Sequence, residues 1–382
     1  MVIKYMGNTR FTLMNKDKLV ADLGIRNNEV YIQTLYSDIP KSINNFHNWI
    51  KYRTSPSNRC NISTLIKLNN ITTIEQLLSI TKCISIIDTF WVNDTYNNTT
   101  WDKISPYINK TNRALAEIAL NGESSIGYST IKGASPQYQV GGSVDKCVKM
   151  TQDGLYLYKT SGERWSDLAG CRPYCEYYAS IIAEQLGLYD FVKYGIDLIK
   201  TKDNLIKPYV FCRVFTSEDY GLLHMRDSKF SNYTSDELIQ KLNPYMRKQY
   251  KDMLVFDSLI LNPDRHTENY GFIVDNMSNN IKKMSPVYDN DCSLGALISI
   301  QDKGFEQAIN EIKYTKRPKT DIGDYDELAR FGMTKDFYIR LRDIDRITLG
   351  ERLPGVSQKR FDFMEYMVNK RRIEILNLFG ER

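Results

Sequence analysis

The sequence predicts an α+β fold in which a mixed α/β accessory domain, residues 1–124, precedes two further units. Residues 125–215 alternate apolar and polar side chains between glycine-containing turns, which predicts a small β-rich lobe. Residues 216–382 place apolar side chains at helical spacing, which predicts a helical lobe. A chain of 382 residues is long enough for two or three such units, each with its own core.

The composition is that of an ordinary globular protein, with 42% apolar and 25% charged residues. The net charge of +5 arises from 51 basic and 46 acidic residues that are dispersed along the chain, so we expect no direct nucleic-acid binding. No apolar run reaches the length of a membrane span, and the first residues lack the apolar segment of a secretion signal. The seven scattered cysteines suit reduced thiols. We therefore expect a cytoplasmic protein without a membrane partner.

The first 124 residues contain short stretches typical of strands and helices. NEVYIQTLY alternates like a strand, and SINNFHNWIKY has helical spacing. Nothing in this region assembles a reactive group. We therefore expect an accessory domain, and one function open to it is to bind a regulatory partner.

The β-rich lobe contains a lysine in an unusual place. Residues 138–161, YQVGGSVDKCVKMTQDGLYLYKTS, predict three strands separated by two glycine turns. In the third strand Leu155, Leu157 and Lys159 share a face, because side chains alternate along a strand. A buried ammonium needs a counter-charge or a ligand. The next predicted helix places Glu176 beside its apolar stripe, so we expect Glu176 to supply that charge.

The segment LNPDRHTENYGFIVDN, residues 261–276, crowds polar side chains between a helical run and a predicted strand. If residues 270–274 pair antiparallel with residues 282–288, Asn269 lies opposite Val287 or Tyr288. The side chain of Asp289 then lies at the same open end of the hairpin, where the loop also brings a second aspartate, Asp264.

Three oxygen-bearing side chains are therefore expected to converge there. Asn269 and Asp289 offer the oxygen ligands that Mg²⁺ prefers. Asp264 remains able to accept a proton from an attacking hydroxyl group. The five-residue spacing between Asp264 and Asn269 is that of the protein-kinase catalytic loop, in which the Asp is the base and the Asn holds metal.

These parts follow one another in the order of protein-kinase catalytic elements. Three stretches resemble the HipA-like serine/threonine kinases: CEYYASIIAEQLGL, DRHTENYGFIV and PVYDNDCSLG. The resemblance covers residues 125–382 and implies a bilobal protein-kinase-like fold, with a small β-rich N-lobe and a helical C-lobe. It also implies a kinase that uses ATP and Mg²⁺ to phosphorylate Ser or Thr of a protein substrate.

The resemblance implies a role for each matching residue. Asp264 resembles the catalytic Asp, Asn269 and Asp289 the Mg²⁺ ligands, Lys159 the phosphate-contacting Lys and Glu176 its ion-pair partner. The further positions expected to bind or position ATP are the glycine turn with its following lysine, the adenine hinge and the loop histidine: Gly141, Gly142, Ser143, Lys146, Val214, Phe215 and His266. Ser135 and Ser143 flank the glycine turn, and either is a candidate autophosphorylation site.

Departures from the family pattern keep other functions open. VGGSVDK replaces the Gly-x-Gly-x-x-Gly of ordinary protein kinases, and Asn-Asp replaces Phe-Gly after Asp289. The first 120 residues do not match the N-terminal part of the toxin HipA. DRHTEN also resembles the Asp-Arg-His-x-x-Asn of phosphatidylinositol kinases, so a lipid or small-molecule kinase is an alternative. A third possible function is that of a catalytically silent nucleotide-binding module. Within the loop, no role is predicted for Arg265 or Glu268.

Overall fold

A computed structural model describes residues 10–40, 43, 46–54, 70–97, 99–121, 135, 137, 145–160, 171–200 and 206–380. The chain divides into two compact units. The first unit comprises Met1–Tyr158, Thr216–Leu223 and Val274–Ile281, and the second comprises Lys159–Phe215, His224–Ile273 and Lys282–Arg382. The functional boundaries at residues 124 and 215 stay predictions.

The elements confirm the α+β character that the sequence predicts. The strands are β1 (Phe11–Asn15), β2 (Lys18–Arg26), β3 (Glu29–Leu35), β4 (Phe90–Asp94), β5 (Lys146–Thr151), β6 (Gly154–Thr160), β7 (Gly195–Lys200), β8 (Ile206–Arg213), β9 (Tyr220–His224), β10 (Gly271–Asp275) and β11 (Ile281–Met284). The helices are α1 (Phe46–Thr54), α2 (Ile74–Thr81), α3 (Trp101–Ile104), α4 (Arg113–Asn121), α5 (Cys171–Gln185), α6 (Ser235–Lys241), α7 (Pro244–Leu259), α8 (Phe305–Thr315), α9 (Tyr325–Gly332), α10 (Lys335–Asp343) and α11 (Gln358–Asn377). The strand orders of the sheets are β3-β2-β1-β4, β5-β6-β8-β7 and β11-β10-β9.

In the first unit, β1 lies between β2 and β4 and is antiparallel to both. Phe11 of β1 lies opposite Leu23 and also opposite Asp94. The helices α1 and α2 add Trp49 and Leu78 to the apolar core on this sheet. The strand and helix predicted for NEVYIQTLY and SINNFHNWIKY are β3 and α1.

Two later segments of the chain complete the first unit through hydrogen bonds to its early part. The backbone N–H of Leu222 donates to the carbonyl of Ile87 at 2.7 Å. The Asn15 side-chain amide donates to the carbonyl of Asn276 at 2.8 Å. The unit is therefore not a contiguous stretch of sequence.

Two of the three strands predicted around Lys159 are present in the described residues, as β5 and β6. β5 and β6 flank a tight turn at Gln152 and Asp153. The strand predicted before them, at residues 138–140, lies outside the described residues. In the second unit β7 and β8 are antiparallel, with Gly195 opposite Phe211.

Helix α5 of the second unit has the predicted buried stripe. Its members, with the first residue beyond the helix, are Cys175, Ala179, Ile182 and Leu186. Gly187, which follows, has a φ of +56°, in the left-handed region that glycine reaches without a steric penalty. The glycine therefore ends the helix and turns the chain toward β7.

Helix α7 leads the chain into the predicted catalytic loop. Asn243 caps the helix by accepting a hydrogen bond from the Met246 N–H at 2.8 Å, and Pro244 occupies the first helical position. Its C-terminal half is fully buried, and Leu261 just beyond it has a φ of +48°. That left-handed residue redirects the chain into the loop at residues 262–270.

The helices α9 and α11 pack against α7 and fix its position. Gly332 of α9 lies so close that a Cβ there would come within 2.7 Å of the Lys251 carbonyl oxygen. Arg371 of α11 is fully buried and donates to the Ser258 hydroxyl at 3.1 Å. Ser357 caps α11 by accepting a hydrogen bond from the Arg360 N–H, as serine commonly does just before a helix. In the part of the chain that is described, no helix combines the length and apolar character needed to cross a membrane.

Candidate active site

Two buried carboxylates and one half-buried carboxylate surround the ammonium group of Lys159 in the second unit. Lys159 is 7% exposed at the end of β6. Its Nζ lies 2.9 Å from Glu176 Oε2 and 2.9 Å from Asp291 Oδ2, and it also pairs with Asp289 Oδ1. The structure thus brings together three residues singled out from sequence, Lys159, Glu176 and Asp289, and adds Asp291.

Glu176 connects helix α5 to the segment after β11. Its side chain is 0% exposed, and its second oxygen accepts a hydrogen bond from the Asn290 N–H at 3.3 Å. The backbone N–H of Asp289 donates to the Tyr194 hydroxyl at 3.4 Å. Asp289 has a φ of +58°, a left-handed conformation that Asp tolerates better than most residues.

The pKa values of this cluster follow from burial and from close opposite charges. Burial disfavours the charged form of Lys159, yet Asp289, Asp291 and Glu176 outweigh it and hold the pKa of the ammonium well above its usual range. Burial raises the pKa of Glu176, and Lys159 offsets this only in part. Burial acts in the same direction on Asp291, but Lys159 and Arg172 prevail, so the pKa of Asp291 is lowered.

Arg172 and Asp291 are members of the site that sequence reasoning missed. Arg172, in the first turn of α5, donates to Asp291 Oδ1 at 2.9 Å and to Cys292 Sγ at 3.4 Å. Three carboxylates therefore face two cations. Asp291 could have been identified from sequence, because it is the second acidic residue in PVYDNDCSLG, two positions after Asp289.

The loop that carries Asp264 has its own hydrogen bonds. The Asn269 side-chain amide donates to the Asp264 carbonyl at 2.9 Å, which joins the two ends of the Asp-x4-Asn segment. Because this bond uses the amide nitrogen, the amide oxygen of Asn269 remains able to coordinate Mg²⁺. Asp264 Oδ1 pairs with Lys319, and Asp264 Oδ2 lies 3.8 Å from Cys292 Sγ. Asp264 and the Lys159 cluster are thus connected through Cys292 and its neighbour Asp291.

His266 lies beside the Asp264 carboxylate and also within the loop's own hydrogen bonds. Its Nε2 is 3.9 Å from Asp264 Oδ2, and its Nδ1 accepts from the Glu268 N–H at 3.2 Å. Glu268, for which no role was predicted from sequence, pairs with Arg226. A role for His266 in binding ATP stays a prediction.

Arg265, which also had no role from sequence, ties the loop to its surroundings. It is 1% exposed, and its Nε and Nη2 each donate to the buried carboxylate of Asp257 at 2.9 Å. Its Nη1 donates to the Asn269 carbonyl at 2.8 Å and also to the Tyr288 carbonyl. Its Nη2 reaches the side chain of Asn290. The guanidinium therefore holds α7, the loop and the Asp289 segment together.

The hairpin that was expected to align this segment is shorter than predicted. β11 ends at Met284, whereas the pairing was expected to continue to Tyr288. Val287 instead forms a parallel bridge with Phe191 and accepts the Val192 N–H at 2.9 Å. Asn269 and Tyr288 still lie close together, since the Nη1 group of Arg265 donates hydrogen bonds to both of their carbonyl groups.

The remaining expected ATP-binding positions are spread over both units. Phe215 follows β8 in the second unit, and its ring lies 5.5 Å from that of Tyr288, while Val214 beside it is half-buried. Lys146 begins β5 in the first unit, where Ser135 is also buried. The glycine turn with Gly141, Gly142 and Ser143 lies outside the described residues.

The acidic side chains fit a hard divalent cation. Glu176, Asp289 and Asp291 each place one carboxylate oxygen within 4.8 Å of the others. Mg²⁺ and Mn²⁺ prefer such oxygen ligands. In the structure the ammonium of Lys159 lies among these oxygens and supplies positive charge there.

Comparison with known proteins finds no family model that matches the chain. No curated protein matches it by sequence either. Solved structures do. The Helicobacter pylori proinflammatory kinase CtkA is 21% identical to this chain, with a TM-score of 0.49. The match covers 62% of this chain and 90% of the CtkA chain.

Two further solved structures differ in how much of the chain they cover. HipA of Shewanella oneidensis MR-1, solved with HipB and operator DNA, is 12% identical over 96% of each chain, with a TM-score of 0.46. The Golgi casein kinase is 12% identical over 64% of this chain and 73% of its own, with a TM-score of 0.33. HipA, whose family the sequence motifs resemble, is thus among the solved structures to which this chain is similar.

Proposed function

We propose that this chain is an ATP- and Mg²⁺-dependent kinase with a bilobal protein-kinase-like fold, which phosphorylates Ser or Thr of a protein. The observation that carries this proposal is the contact of the buried Lys159 ammonium with Glu176, Asp289 and Asp291. A lysine can contact the phosphate oxygens of ATP, and neighbouring carboxylates can hold the metal ion that accompanies them. These contacts are what phosphoryl transfer requires, because it relies on positioning and charge stabilisation.

The residues divide the work between nucleotide and metal. Lys159, held by Glu176, would contact phosphate oxygens. Asp289 and Asn269 would hold Mg²⁺, and Asp291 offers a further carboxylate close to that of Asp289. The metal, when bound, supplies positive charge to the phosphate oxygens. Val214 and Phe215 would line the adenine site, and the glycine turn would cover the phosphates.

Asp264 would act as the base. The acceptor hydroxyl oxygen forms a bond to the γ-phosphorus, the bond from that phosphorus to the bridging oxygen of ADP breaks, and the hydroxyl proton passes to Asp264. Arg265 and the Asn269 amide hold the loop that carries this carboxylate. A general base of this kind contributes about 10²–10⁴-fold to rate.

The test is phosphate transfer from γ-labelled ATP by the purified protein with Mg²⁺. We expect label on the protein itself or on a generic protein acceptor, recovered as phosphoserine or phosphothreonine. Asp264→Asn should lower the rate by about 10²–10⁴-fold without changing the circular dichroism spectrum. The matched control is Asp302→Asn, which alters an exposed carboxylate of the same unit and should leave the rate unchanged.

Equal labelling by the wild-type protein and Asp264→Asn would overturn the role of Asp264. Label that enters lipid or a small acceptor, and not protein, would favour the alternative of a lipid or small-molecule kinase. Binding of ATP without any transfer would favour a silent nucleotide-binding module.

A further inference from the structure

A lysine far from the motifs in sequence contacts the proposed base. Lys319 lies in the segment between α8 and α9, 55 residues after Asp264. Its Nζ pairs with Asp264 Oδ1, and its backbone N–H donates to the carbonyl of Pro263 at 3.2 Å. Side chain and main chain of Lys319 therefore both contact the residues at the start of the catalytic loop.

This ion pair has little use as a stabilising contact. The Lys319 side chain is 60% exposed. Ion pairs with such a solvated partner contribute little to stability, because water screens the charges and the flexible side chain loses freedom. The main-chain bond to Pro263 already fixes the segment against the loop. The ammonium is thus available for a second partner.

The geometry of phosphoryl transfer determines what that partner can be. An acceptor hydroxyl must lie within about 3 Å of the Asp264 carboxylate to give up its proton. The phosphorus it attacks must lie about 3–3.5 Å from that hydroxyl. The transferring group therefore passes within about 6 Å of the carboxylate that Lys319 already touches. A lysine ammonium has three donors, so it can hold Asp264 and a phosphoryl oxygen together.

We propose that Lys319 is a further catalytic residue, whose ammonium contacts the oxygens of the γ-phosphoryl group during its transfer. This role rests on the proposed kinase function. Lys319 neither gives nor takes a proton. The bond from the acceptor oxygen to phosphorus forms, the bond to the leaving ADP oxygen breaks, and Asp264 receives the hydroxyl proton. Lys159 and Lys319 would then contact the triphosphate at separate points.

The first test separates turnover from binding. Lys319→Met should lower kcat by about 10²-fold with less than a threefold change in the KM for ATP, because the contact strengthens in the transition state. Lys319→Arg, which keeps the charge, should retain more than a tenth of the wild-type kcat. The matched control is Arg317→Met, which removes an exposed cation two residues earlier and should leave kcat unchanged.

The second test asks whether Lys319 touches the phosphoryl group or only orients Asp264. In the Asp264→Asn background, calorimetry would measure the affinity for Mg²⁺–ADP with and without aluminium fluoride, which mimics the transferring group. Adding Lys319→Met should weaken the aluminium fluoride complex about tenfold and leave Mg²⁺–ADP affinity unchanged. If both proteins bind the mimic equally, Lys319 acts only through Asp264 and its contact with the phosphoryl group is excluded.

The two proposals fail in different ways. If the wild-type protein transfers phosphate but Lys319→Met matches its kcat, only the role of Lys319 is lost. If the wild-type protein transfers no phosphate to any acceptor, the proposed kinase function fails and the role of Lys319 fails with it.

Discussion

At the scale of single residues, Lys159 is the group on which the site depends. Its ammonium holds Glu176, Asp289 and Asp291 close together in a buried position. Without a cation these carboxylates would repel one another and their pKa values would rise. A bound divalent metal would supply the same positive charge, which would free the ammonium for a phosphate.

We therefore expect Lys159→Met to destabilise the protein and to make its stability depend on metal. In metal-free buffer the free energy of unfolding should fall by about 3 kcal/mol, because buried carboxylates lose their partner. Millimolar Mg²⁺ should recover more free energy in Lys159→Met than in the wild-type protein, since a ligand that binds the folded state stabilises it. Urea unfolding with EDTA and with Mg²⁺ measures both quantities.

The control for this prediction is a lysine in an exposed ion pair. Lys193 pairs with Glu184, and their side chains are 69% and 60% exposed. Lys193→Met should change the free energy of unfolding by less than about 1 kcal/mol, and its response to Mg²⁺ should equal that of the wild-type protein. An unchanged stability of Lys159→Met in EDTA, or an Mg²⁺ effect equal to that of wild type, would contradict the account of the cluster.

The sequence could predict the burial of Lys159 but not its whole set of partners. Strand alternation involves only neighbouring residues, so Leu155 and Lys159 could be placed on one face from sequence, and both are buried. Asp291 and Arg172 meet only because α5 packs beside the segment after β11. That encounter depends on tertiary packing, which the spacing of residues along the chain does not specify.

At the scale of elements, Arg265 joins three parts of the site. Its fork contacts Asp257 of α7, the Asn269 carbonyl of the loop and the Tyr288 carbonyl after β11. The loop lacks regular secondary structure. Its geometry is therefore held by side-chain hydrogen bonds, among them those of this guanidinium and of the Asn269 amide.

We expect Arg265→Lys to be strongly destabilising although it keeps the charge. Lysine cannot reproduce the paired bonds to Asp257, so a fully buried carboxylate is left poorly compensated. The free energy of unfolding should fall by about 3–5 kcal/mol, as it does when buried ion pairs are broken. Chemical denaturation monitored by circular dichroism measures the change.

A matched substitution tests the geometric reason. Arg342 pairs with Asp343 in α10, and both side chains are more than half exposed. Arg342→Lys should alter stability by less than about 0.5 kcal/mol. If Arg265→Lys were equally mild, the bidentate contact would not be what holds the loop.

Element types were more predictable than the ends of elements. The period of apolar residues identified α5, α7 and α11, and glycine and cap residues placed several of their ends. The hairpin of β10 and β11 was predicted too long. Val287 has a suitable strand sequence, but its partner is Phe191, a residue about a hundred positions earlier. A local pattern cannot choose between two such partners.

At the scale of the whole molecule, the sequence does not reveal how the first unit is assembled. The change in sequence pattern after residue 124 predicted an accessory domain at residues 1–124. The compact unit, however, also includes Thr216–Leu223 and Val274–Ile281. The Trp101 indole N–H donates to Glu218 Oε2 at 2.7 Å, and the Asn15 amide donates to the Asn276 carbonyl. Contacts across such sequence distances leave no periodic signal in either partner.

This assembly predicts that residues 125–382 will not fold well alone. Deleting residues 1–124 removes hydrogen-bond partners of the Leu222 N–H, the Glu218 carboxylate and the Asn276 carbonyl, and exposes surface that is otherwise buried. We expect the fragment 125–382 to be largely insoluble when expressed alone. Co-expression with a separate 1–124 chain should restore soluble protein in which the two fragments co-purify, because the missing contacts can form between chains.

Single substitutions at these contacts serve as milder probes in the full chain. Trp101→Phe removes the indole donor to Glu218 while it keeps an aromatic ring in a buried position. It should lower the free energy of unfolding by about 1–3 kcal/mol, since the Glu218 carboxylate loses one of its hydrogen-bond donors. Tyr96→Phe, which changes an exposed ring in the same unit, should have no effect. A soluble 125–382 fragment that unfolds with the cooperativity of the full chain would show that residues 1–124 are a separable domain after all.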